Sequence, residues 1–285
     1  MSAIARCVVA ALFLFGSAVS FSACPDTATV AAYVADFAAP RPVKGYGKDF
    51  SLSDAECARD KLLRALPPVL GGVVGYKAGL TNPESQKRFG MSEPVWGAMF
   101  ANDMQASGAR VPAAFGARSR YEADFIVVVK DAGLAEARTP LDALGHLSHV
   151  MPFIELPDLM IEGAMNGPQL VAANVAFRAG IKGAPIPVQP TQAFADSLAA
   201  MTVVMTEDTS GRELTRAKGS AIMEHPLHAA IWLARALKKQ GITLQPGDLL
   251  SLGGYAASAP TKAGETITVR YLGLPGDPAV TVHFQ

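Results

Sequence analysis

Three acidic residues, Glu122, Asp124 and Glu155, interrupt apolar segments of the sequence. Glu122 and Asp124 stand two positions apart at the start of a predicted strand, so their side chains point to the same face. Glu155 lies within the apolar segment 151–156, where an unpaired carboxylate would be very costly. A cation would join the three acids, and all-oxygen ligation suits Mg²⁺ or Mn²⁺ better than zinc. The alternative is an exposed strand edge for the first two and an arginine or lysine partner for Glu155.

Lys77 lies among small and apolar residues in the segment 71–81, whose glycines allow close approach of the backbone. A lysine that is partly desolvated there can act as an acid, a base or a holder of a carboxylate. The alternative is a solvated lysine in a turn. The sequence therefore offers one basic and three acidic candidates for a reaction centre.

The composition indicates an ordinary globular protein. The chain has 285 residues, 50% of them hydrophobic and 18% charged, with 25 Lys+Arg against 25 Asp+Glu. A disordered chain would carry less apolar surface and more charge. A nucleic-acid partner is not expected, because phosphate binding needs a basic surplus and the largest basic cluster is Lys238-Lys239. The length allows one large domain or two smaller ones.

The first 22 residues are typical of a signal peptide. Arg6 precedes an apolar run that gives way to small residues, and the run is too short for a permanent membrane anchor. We therefore expect an exported protein, periplasmic or secreted, without a membrane span. Two alternatives stay open: Cys24 as the lipidated residue of a lipoprotein, and a buried N-terminal helix of a cytosolic protein.

Two cysteines, Cys24 and Cys57, remain after removal of this leader. An even pair in an oxidising compartment predicts a disulfide between them. Lipidation of Cys24 would exclude this bond.

Hydrophobic spacing divides the rest of the chain into two zones. Residues 23–70 are predicted to form a helical N-terminal cap, with one helix from Asp26 to Ala38 and another beginning at Ser53. A further helix begins at Pro226 and ends before Gly241, and His146 and His149 are expected to share a helical face. Short apolar runs predict strands at 125–129, 151–156, 201–206, 249–252, 266–271 and 280–284. This pattern favours an α+β fold with a mixed β-sandwich roll.

Several motifs in order resemble one enzyme family. The segments 75–81, 86–90 and 93–97, the Glu122-Ala123-Asp124 pair with Glu155 beyond it, and the segments 225–234 and 245–248 carry the likeness. Together they resemble the 2-keto-4-pentenoate hydratase and 4-oxalocrotonate decarboxylase branch of the fumarylacetoacetate hydrolase superfamily. The resemblance covers about residues 50 to 285 and implies a catalytic domain over 71–285.

The resemblance implies a metal-dependent lyase that adds water to a small 2-hydroxydienoate or 2-oxo-alkenoate, in a homo-oligomer. Glu122, Asp124 and Glu155 would hold Mg²⁺ or Mn²⁺, which chelates the substrate's C1 carboxylate and 2-oxygen, while Lys77 would be catalytic. The implied substrate-binding residues are Tyr76, Asp158 and Asn174.

Other activities of the same scaffold stay open. Oxo-acid decarboxylation and tautomerisation would use the same site. The chain also departs from the family pattern, with Asp124 in place of a usual glutamate and Gly253-Gly254 in place of Gly-Ser. These departures leave open an exported binding protein without turnover.

Overall fold

The computed structural model describes residues 24–47 and 49–285. The predicted signal peptide lies outside these residues. The helices are α1 (Thr27–Ala38), α2 (Leu52–Ala65), α3 (Pro67–Leu70), α4 (Pro83–Phe89), α5 (Pro140–Gly145), α6 (Gly167–Ala172), α7 (Gln192–Ala200) and α8 (Pro226–Lys239). The strands are β1 (Val73–Gly79), β2 (Val95–Phe100), β3 (Met104–Ala106), β4 (Ala109–Val111), β5 (Arg120–Val129), β6 (Leu147–Pro157), β7 (Phe177–Lys182), β8 (Ile186–Pro187), β9 (Thr202–Glu207), β10 (Arg212–Lys218), β11 (Leu249–Ser251), β12 (Ala259–Pro260), β13 (Thr266–Leu272) and β14 (Ala279–Phe284).

The strands form two mixed sheets. The larger has the order β2-β1-β11-β5-β6-β7-β3, with β12 added to β5 and β8 added to β6. The smaller has the order β10-β9-β13-β14-β4. Both contain parallel and antiparallel pairs, since β1 runs parallel to β11 and β14 parallel to β4 while β5 is antiparallel to β6. The predicted α+β fold with a mixed β roll is confirmed. All six predicted strands are present, although the prediction begins one residue before β9 and ends one residue after β11.

Apolar side chains at alternate positions of the strands form the main core. Phe125 and Val127 of β5, Val269 of β13 and Leu233 of α8 belong to one buried cluster. The side chains at the intervening positions of β5 point to the other face of the sheet, because successive residues of a strand face opposite sides. Helix α8 begins at Pro226, as predicted, and His225 caps it by accepting a hydrogen bond from the Leu227 N–H at 3.0 Å.

The N-terminal helices cover the other face of the larger sheet. Tyr33 and Phe37 of α1 and Leu62 of α2 share a buried cluster with Phe100 and Phe153 of the sheet. The two predicted helices are therefore present. Helix α2 begins earlier than expected, because Ser51 is its cap: its hydroxyl accepts from the Asp54 N–H, and the Asp54 carboxylate accepts from the Ser51 N–H.

The prediction that His146 and His149 share a helical face is wrong. Helix α5 ends at Gly145, His146 follows it, and His149 lies in β6. Helix α5 itself was missed, although Thr139, Pro140 and Asp142 form a capping box with proline at the first turn.

Cys24 and Cys57 are joined by a disulfide that ties the segment before α1 to α2. Loss of this bond, by reduction or in Cys57→Ser, is expected to lower the free energy of unfolding by about 3 to 4 kcal/mol, because a loop of this size gains entropy in the unfolded chain. Denaturant titration with and without reductant measures the difference. Identical midpoints would contradict a stabilising disulfide.

No helix in the part of the chain that the structure describes is long and apolar enough to cross a membrane.

Candidate metal and substrate site

The pairing of strands in the larger sheet brings the predicted reaction-centre residues together. Glu122 of β5 lies directly opposite Glu155 of β6, and Lys77 of β1 lies opposite Ser251 of β11. Strand β11 separates β1 from β5, so these residues share one face across four neighbouring strands. Two like charges directly opposite each other destabilise a sheet unless a cation lies between them.

The three carboxyl groups form a cluster. Ligand oxygens of Glu122, Asp124 and Glu155 all lie within 4.8 Å of one another. Asp124 and Glu155 are fully buried, whereas Glu122 is half-buried. The arrangement leaves one accessible carboxylate at the edge of a buried pair.

Asp124 has several hydrogen-bond donors around it. Its Oδ1 accepts from the backbone N–H groups of Phe125, Leu252 and Gly253 at 2.5, 3.2 and 3.0 Å. Its Oδ2 accepts from the Ser251 hydroxyl at 2.7 Å. The loop after β11 thus fixes this short side chain and leaves Oδ2 with a free lone pair. Ser251 was not predicted as a site residue.

Only one of the two carboxylate oxygens of Glu155 has a hydrogen-bond partner among the described residues. Its Oε1 accepts from Lys77 Nζ, which also donates to the Val175 carbonyl at 3.0 Å. Its Oε2 is buried and has no hydrogen-bond partner among the described residues. An unpartnered buried carboxylate oxygen is costly, so this atom marks the place for a ligand.

Burial raises the pKa of Glu122, Asp124 and Glu155 to about 7 each. For Asp124 the neighbouring Glu155 raises the pKa further, and for the two glutamates Lys77 opposes the increase. One lysine among three acids leaves an excess of negative charge when all are ionised.

The cluster lies beside a cavity of about 500 Å³. Lys77 and Glu122 line this cavity, together with apolar side chains such as Leu80, Leu159 and Val175. Gly254 lies so close to Glu122 that an added Cβ would be 3.0 Å from its carboxyl carbon. The absence of a side chain at 254 therefore keeps the Glu122 carboxylate accessible.

The three predicted substrate-binding residues are not among those that line the cavity. Tyr76 alternates with Lys77 on β1 and makes an edge-on contact with Trp96 on the other face. Asp158 accepts from the backbone N–H groups of Ala117 and Arg118 at 3.0 and 2.7 Å. These contacts give both side chains partners within the fold, and their role in substrate binding stays a prediction.

Asn174 also has a structural role. Its side chain accepts from the Ala98 N–H at 2.7 Å and donates to the Ala98 carbonyl at 2.8 Å. It begins a turn in which Asn174, Val175 and Ala176 have φ values of 53°, 52° and 58°, in the left-handed region that non-glycine residues rarely adopt. This turn presents the Val175 carbonyl to Lys77.

Asn174→Ala is expected to destabilise the protein by about 1 to 3 kcal/mol, because two buried backbone groups of Ala98 lose their partner. Any loss of substrate-binding free energy should be smaller than this loss of folding stability. Thermal unfolding and substrate titration of the variant separate the two effects. A stable variant with a large increase in KM would restore the substrate-binding role.

The residues present fit a hard divalent cation. Glu122, Asp124 and Glu155 offer only oxygen ligands, Glu155 Oε2 lacks a partner, and histidine or cysteine is absent from the cluster that the described residues form. Carboxylates of this kind suit Mg²⁺ or Mn²⁺. The fit supports the predicted cofactor.

Two further cavity residues, Arg88 of α4 and Arg120 of β5, were not identified from the sequence. Arg120 stands two positions before Glu122, so period-2 alternation on β5 could have indicated it. Arg88 has no comparable local signal.

Comparison with solved structures places the fold among known ones. The chain superposes on 4-oxalocrotonate decarboxylase from Pseudomonas putida G7 with a TM-score of 0.79 and 22% sequence identity, over 90% of this chain and 96% of that one. It also superposes on fumarylpyruvate hydrolase from Pseudomonas aeruginosa with a TM-score of 0.52 and 15% identity, over 74% of this chain and 89% of that one. The fold is that of the fumarylacetoacetate hydrolase superfamily.

Sequence comparison is more specific. The chain is 30% identical to 2-keto-4-pentenoate hydratase of Paraburkholderia phymatum over 71% of this chain and 75% of that protein. It is 25% identical to 4-oxalocrotonate decarboxylase of Pseudomonas putida over the same shares. No protein-family model matches the chain. The chain belongs to the 2-keto-4-pentenoate hydratase family and is a hydratase-like lyase, which confirms the resemblance seen in its motifs.

Proposed function

We propose that the protein adds water to a small 2-hydroxydienoic or 2-oxo-alkenoic acid, with a divalent metal held by Glu122, Asp124 and Glu155. The observation that carries this proposal is the unpartnered Oε2 of Glu155 within the carboxylate cluster beside the cavity. The solved decarboxylase structures contain magnesium with adipate or calcium with acetate, which supports a divalent metal and a carboxylic acid here.

Bound Mg²⁺ or Mn²⁺ would act as a Lewis acid toward the substrate's C1 carboxylate and 2-oxygen. Glu122, Asp124 and Glu155 would hold the ion, and Glu122 lines the cavity that would receive the acid. Ser251 and the N–H groups of Leu252 and Gly253 keep the Asp124 carboxylate in place. These contacts would keep a ligand of the ion in a fixed position.

Lys77 is the proton-transfer group in this proposal. Two of its three N–H donors are directed to Glu155 and to the Val175 carbonyl, and its side chain lines the cavity. The third donor is therefore available to hold the substrate carboxylate or to pass a proton while water adds to the conjugated double bond. The apolar wall near Leu80 and Leu159 accommodates the hydrocarbon part.

The test uses 2-hydroxypenta-2,4-dienoate and its longer homologues with Mg²⁺. Loss of the dienoate absorbance with formation of a 4-hydroxy-2-oxo acid, identified by NMR, is the expected result. The matched control is the Glu162→Gln variant, which changes an exposed acid that does not line the cavity.

A parallel assay that adds a 2-oxo-enedioate as substrate distinguishes the other activities of this scaffold. Release of carbon dioxide from a 2-oxo-enedioate, without added water in the product, would replace hydration by decarboxylation. Proton exchange without either product would indicate tautomerisation. Bound metal with none of the three reactions would indicate a binding protein and contradict the proposal.

We also propose that the mature protein is exported. The signal-like segment 1–22 and the Cys24–Cys57 disulfide support this location, because disulfides persist in oxidising compartments. The bond also leaves no thiol at Cys24 for acylation. Cell fractionation and N-terminal sequencing test the proposal, and a cytoplasmic chain that retains residues 1–22 would contradict it.

A further inference from the structure

Tyr271 of β13 extends from the smaller sheet to the strands that carry the three acids. Its side chain is fully buried in the main core, with its ring centroid 5.3 Å from that of Phe125. Its hydroxyl donates to the Asp124 carbonyl and accepts from the Phe153 N–H at 3.2 Å. The Phe153 carbonyl, at 3.1 Å, is a second acceptor for the same proton. One hydroxyl thus joins the backbone of β5 to that of β6.

These hydrogen bonds lie at the carboxylate cluster. Asp124 and Phe153 are direct partners in the register of β5 and β6, and Glu122 and Glu155 are the partners two positions along. Because side chains alternate along a strand, the two acids of β5 point away from the main core that contains the Tyr271 ring. The tyrosine hydroxyl therefore contacts the two strands from the face opposite to the carboxylates.

Tyr271 is not among the residues that line the cavity, so it lies outside the space that the substrate would occupy. The Asp124 carboxylate is already oriented by Ser251 and by the N–H groups of Leu252 and Gly253. The tyrosine hydroxyl acts instead on the backbone of both strands. Since two of the acids belong to β5 and the third to β6, the separation of these strands sets the distance between the acids.

The spacing of ligands matters more for Mg²⁺ than for a larger ion. Mg²⁺ requires nearly ideal octahedral geometry with oxygens at about 2.0 to 2.1 Å, whereas Ca²⁺ accepts oxygens at about 2.3 to 2.6 Å in a flexible arrangement. A carboxylate cluster with a fixed, short spacing therefore favours Mg²⁺. A cluster whose strands can separate loses Mg²⁺ affinity first.

We propose that Tyr271 is a positioning residue of the metal site. By joining the backbones of Asp124 and Phe153, it sets the spacing of the three carboxylates and raises the affinity for Mg²⁺ relative to Ca²⁺. This inference rests on the proposed function for the presence of the metal. It assigns part of the selectivity for the ion to a side chain of the smaller sheet.

The test measures the Kd of Mg²⁺ and of Ca²⁺ by titration calorimetry in the unmodified protein and in Tyr271→Phe, which keeps the ring and loses the hydroxyl. The Mg²⁺ affinity is expected to fall by about 10- to 100-fold, the usual effect of losing a group that supports a metal ligand. The Ca²⁺ affinity should fall less, so the ratio of the two affinities decreases. A general loss of folding stability would lower both apparent affinities by the same factor and leave this ratio unchanged.

Tyr255→Phe is the matched control. Tyr255 lies in the same core, with its ring centroid 6.5 Å from that of Tyr271, and its buried hydroxyl has no hydrogen-bond partner among the described residues. Loss of this hydroxyl should leave the ratio of affinities unchanged. If metal-free Tyr271→Phe is unfolded at the assay temperature, the concentrations of Mg²⁺ and Ca²⁺ that restore the fold give the same ratio.

A decreased ratio in Tyr271→Phe but not in Tyr255→Phe would support the proposal. An equal loss for both ions, an unchanged Mg²⁺ affinity, or the same decrease in Tyr255→Phe would overturn it. Because the readout is metal binding, a metal-loaded protein without hydratase activity would contradict the proposed function alone. Normal hydration by the unmodified protein, with an unchanged ratio in Tyr271→Phe, would contradict the positioning role alone.

Discussion

Glu155→Gln is expected to weaken Mg²⁺ binding by more than about 100-fold, beyond the effect of losing a residue that only supports a ligand. The variant removes the negative charge of the carboxylate whose Oε2 lacks a partner. It also leaves Lys77 without the carboxylate with which it pairs. Turnover should fall with metal occupancy. Titration calorimetry with Mg²⁺ and the melting temperature with and without the ion measure the effect. Metal at about 100 times Kd should stabilise the unmodified protein by about 2.7 kcal/mol, and the variant by much less.

Breaking a buried ion pair also destabilises a fold, by about 3 to 5 kcal/mol, so a second variant is needed. Glu122→Gln changes a half-buried acid that forms no ion pair among the described residues. This variant should weaken Mg²⁺ binding without the loss of folding stability. Glu162→Gln is the control with the same chemical change on the surface. Unaltered Mg²⁺ affinity in both site variants would contradict the three-carboxylate site.

Lys77→Met is expected to lower kcat by about 100- to 10,000-fold, the usual contribution of a positioned proton-transfer group. Methionine keeps the length of the side chain and loses its donors to Glu155 and to the Val175 carbonyl. Metal binding should persist, because all three carboxylates remain. Steady-state kinetics at saturating Mg²⁺ separate kcat from KM.

The control is Lys239→Met, which alters an exposed lysine at the end of α8. An increase in KM with an unchanged kcat would limit Lys77 to holding the substrate. Unchanged kcat and KM together would exclude it from the reaction.

The acids of the site could be predicted because their signal is local. Glu122 and Asp124 lie two positions apart on a strand, so their side chains point to the same face. Glu155 lies in a segment too apolar for an unpaired charge. Lys77 was a candidate from its small and apolar surroundings, and the family motifs assigned it the catalytic role and supported the metal. The strands and the helix at Pro226 followed from short apolar runs and helix-end residues.

The rest of the site depends on contacts between residues distant in sequence. Ser251 reaches Asp124 because β11 inserts between β1 and β5, a pairing that no local pattern encodes. The 174–176 turn is likewise tied to a residue distant in sequence, through the two hydrogen bonds between the Asn174 side chain and the Ala98 backbone. The family resemblance implied a substrate-binding role for Tyr76, Asp158 and Asn174. In the structure their side chains contact other residues of the protein.

The most direct test of a metal-dependent hydratase is turnover of a 2-hydroxydienoate by chelator-treated protein before and after addition of Mg²⁺ or Mn²⁺. The account predicts that the dienoate absorbance is stable without metal, decays once metal is added, and stays stable in Glu155→Gln at the same metal concentration. Hydration at full rate by metal-free protein, or an unimpaired Glu155→Gln variant, would contradict it.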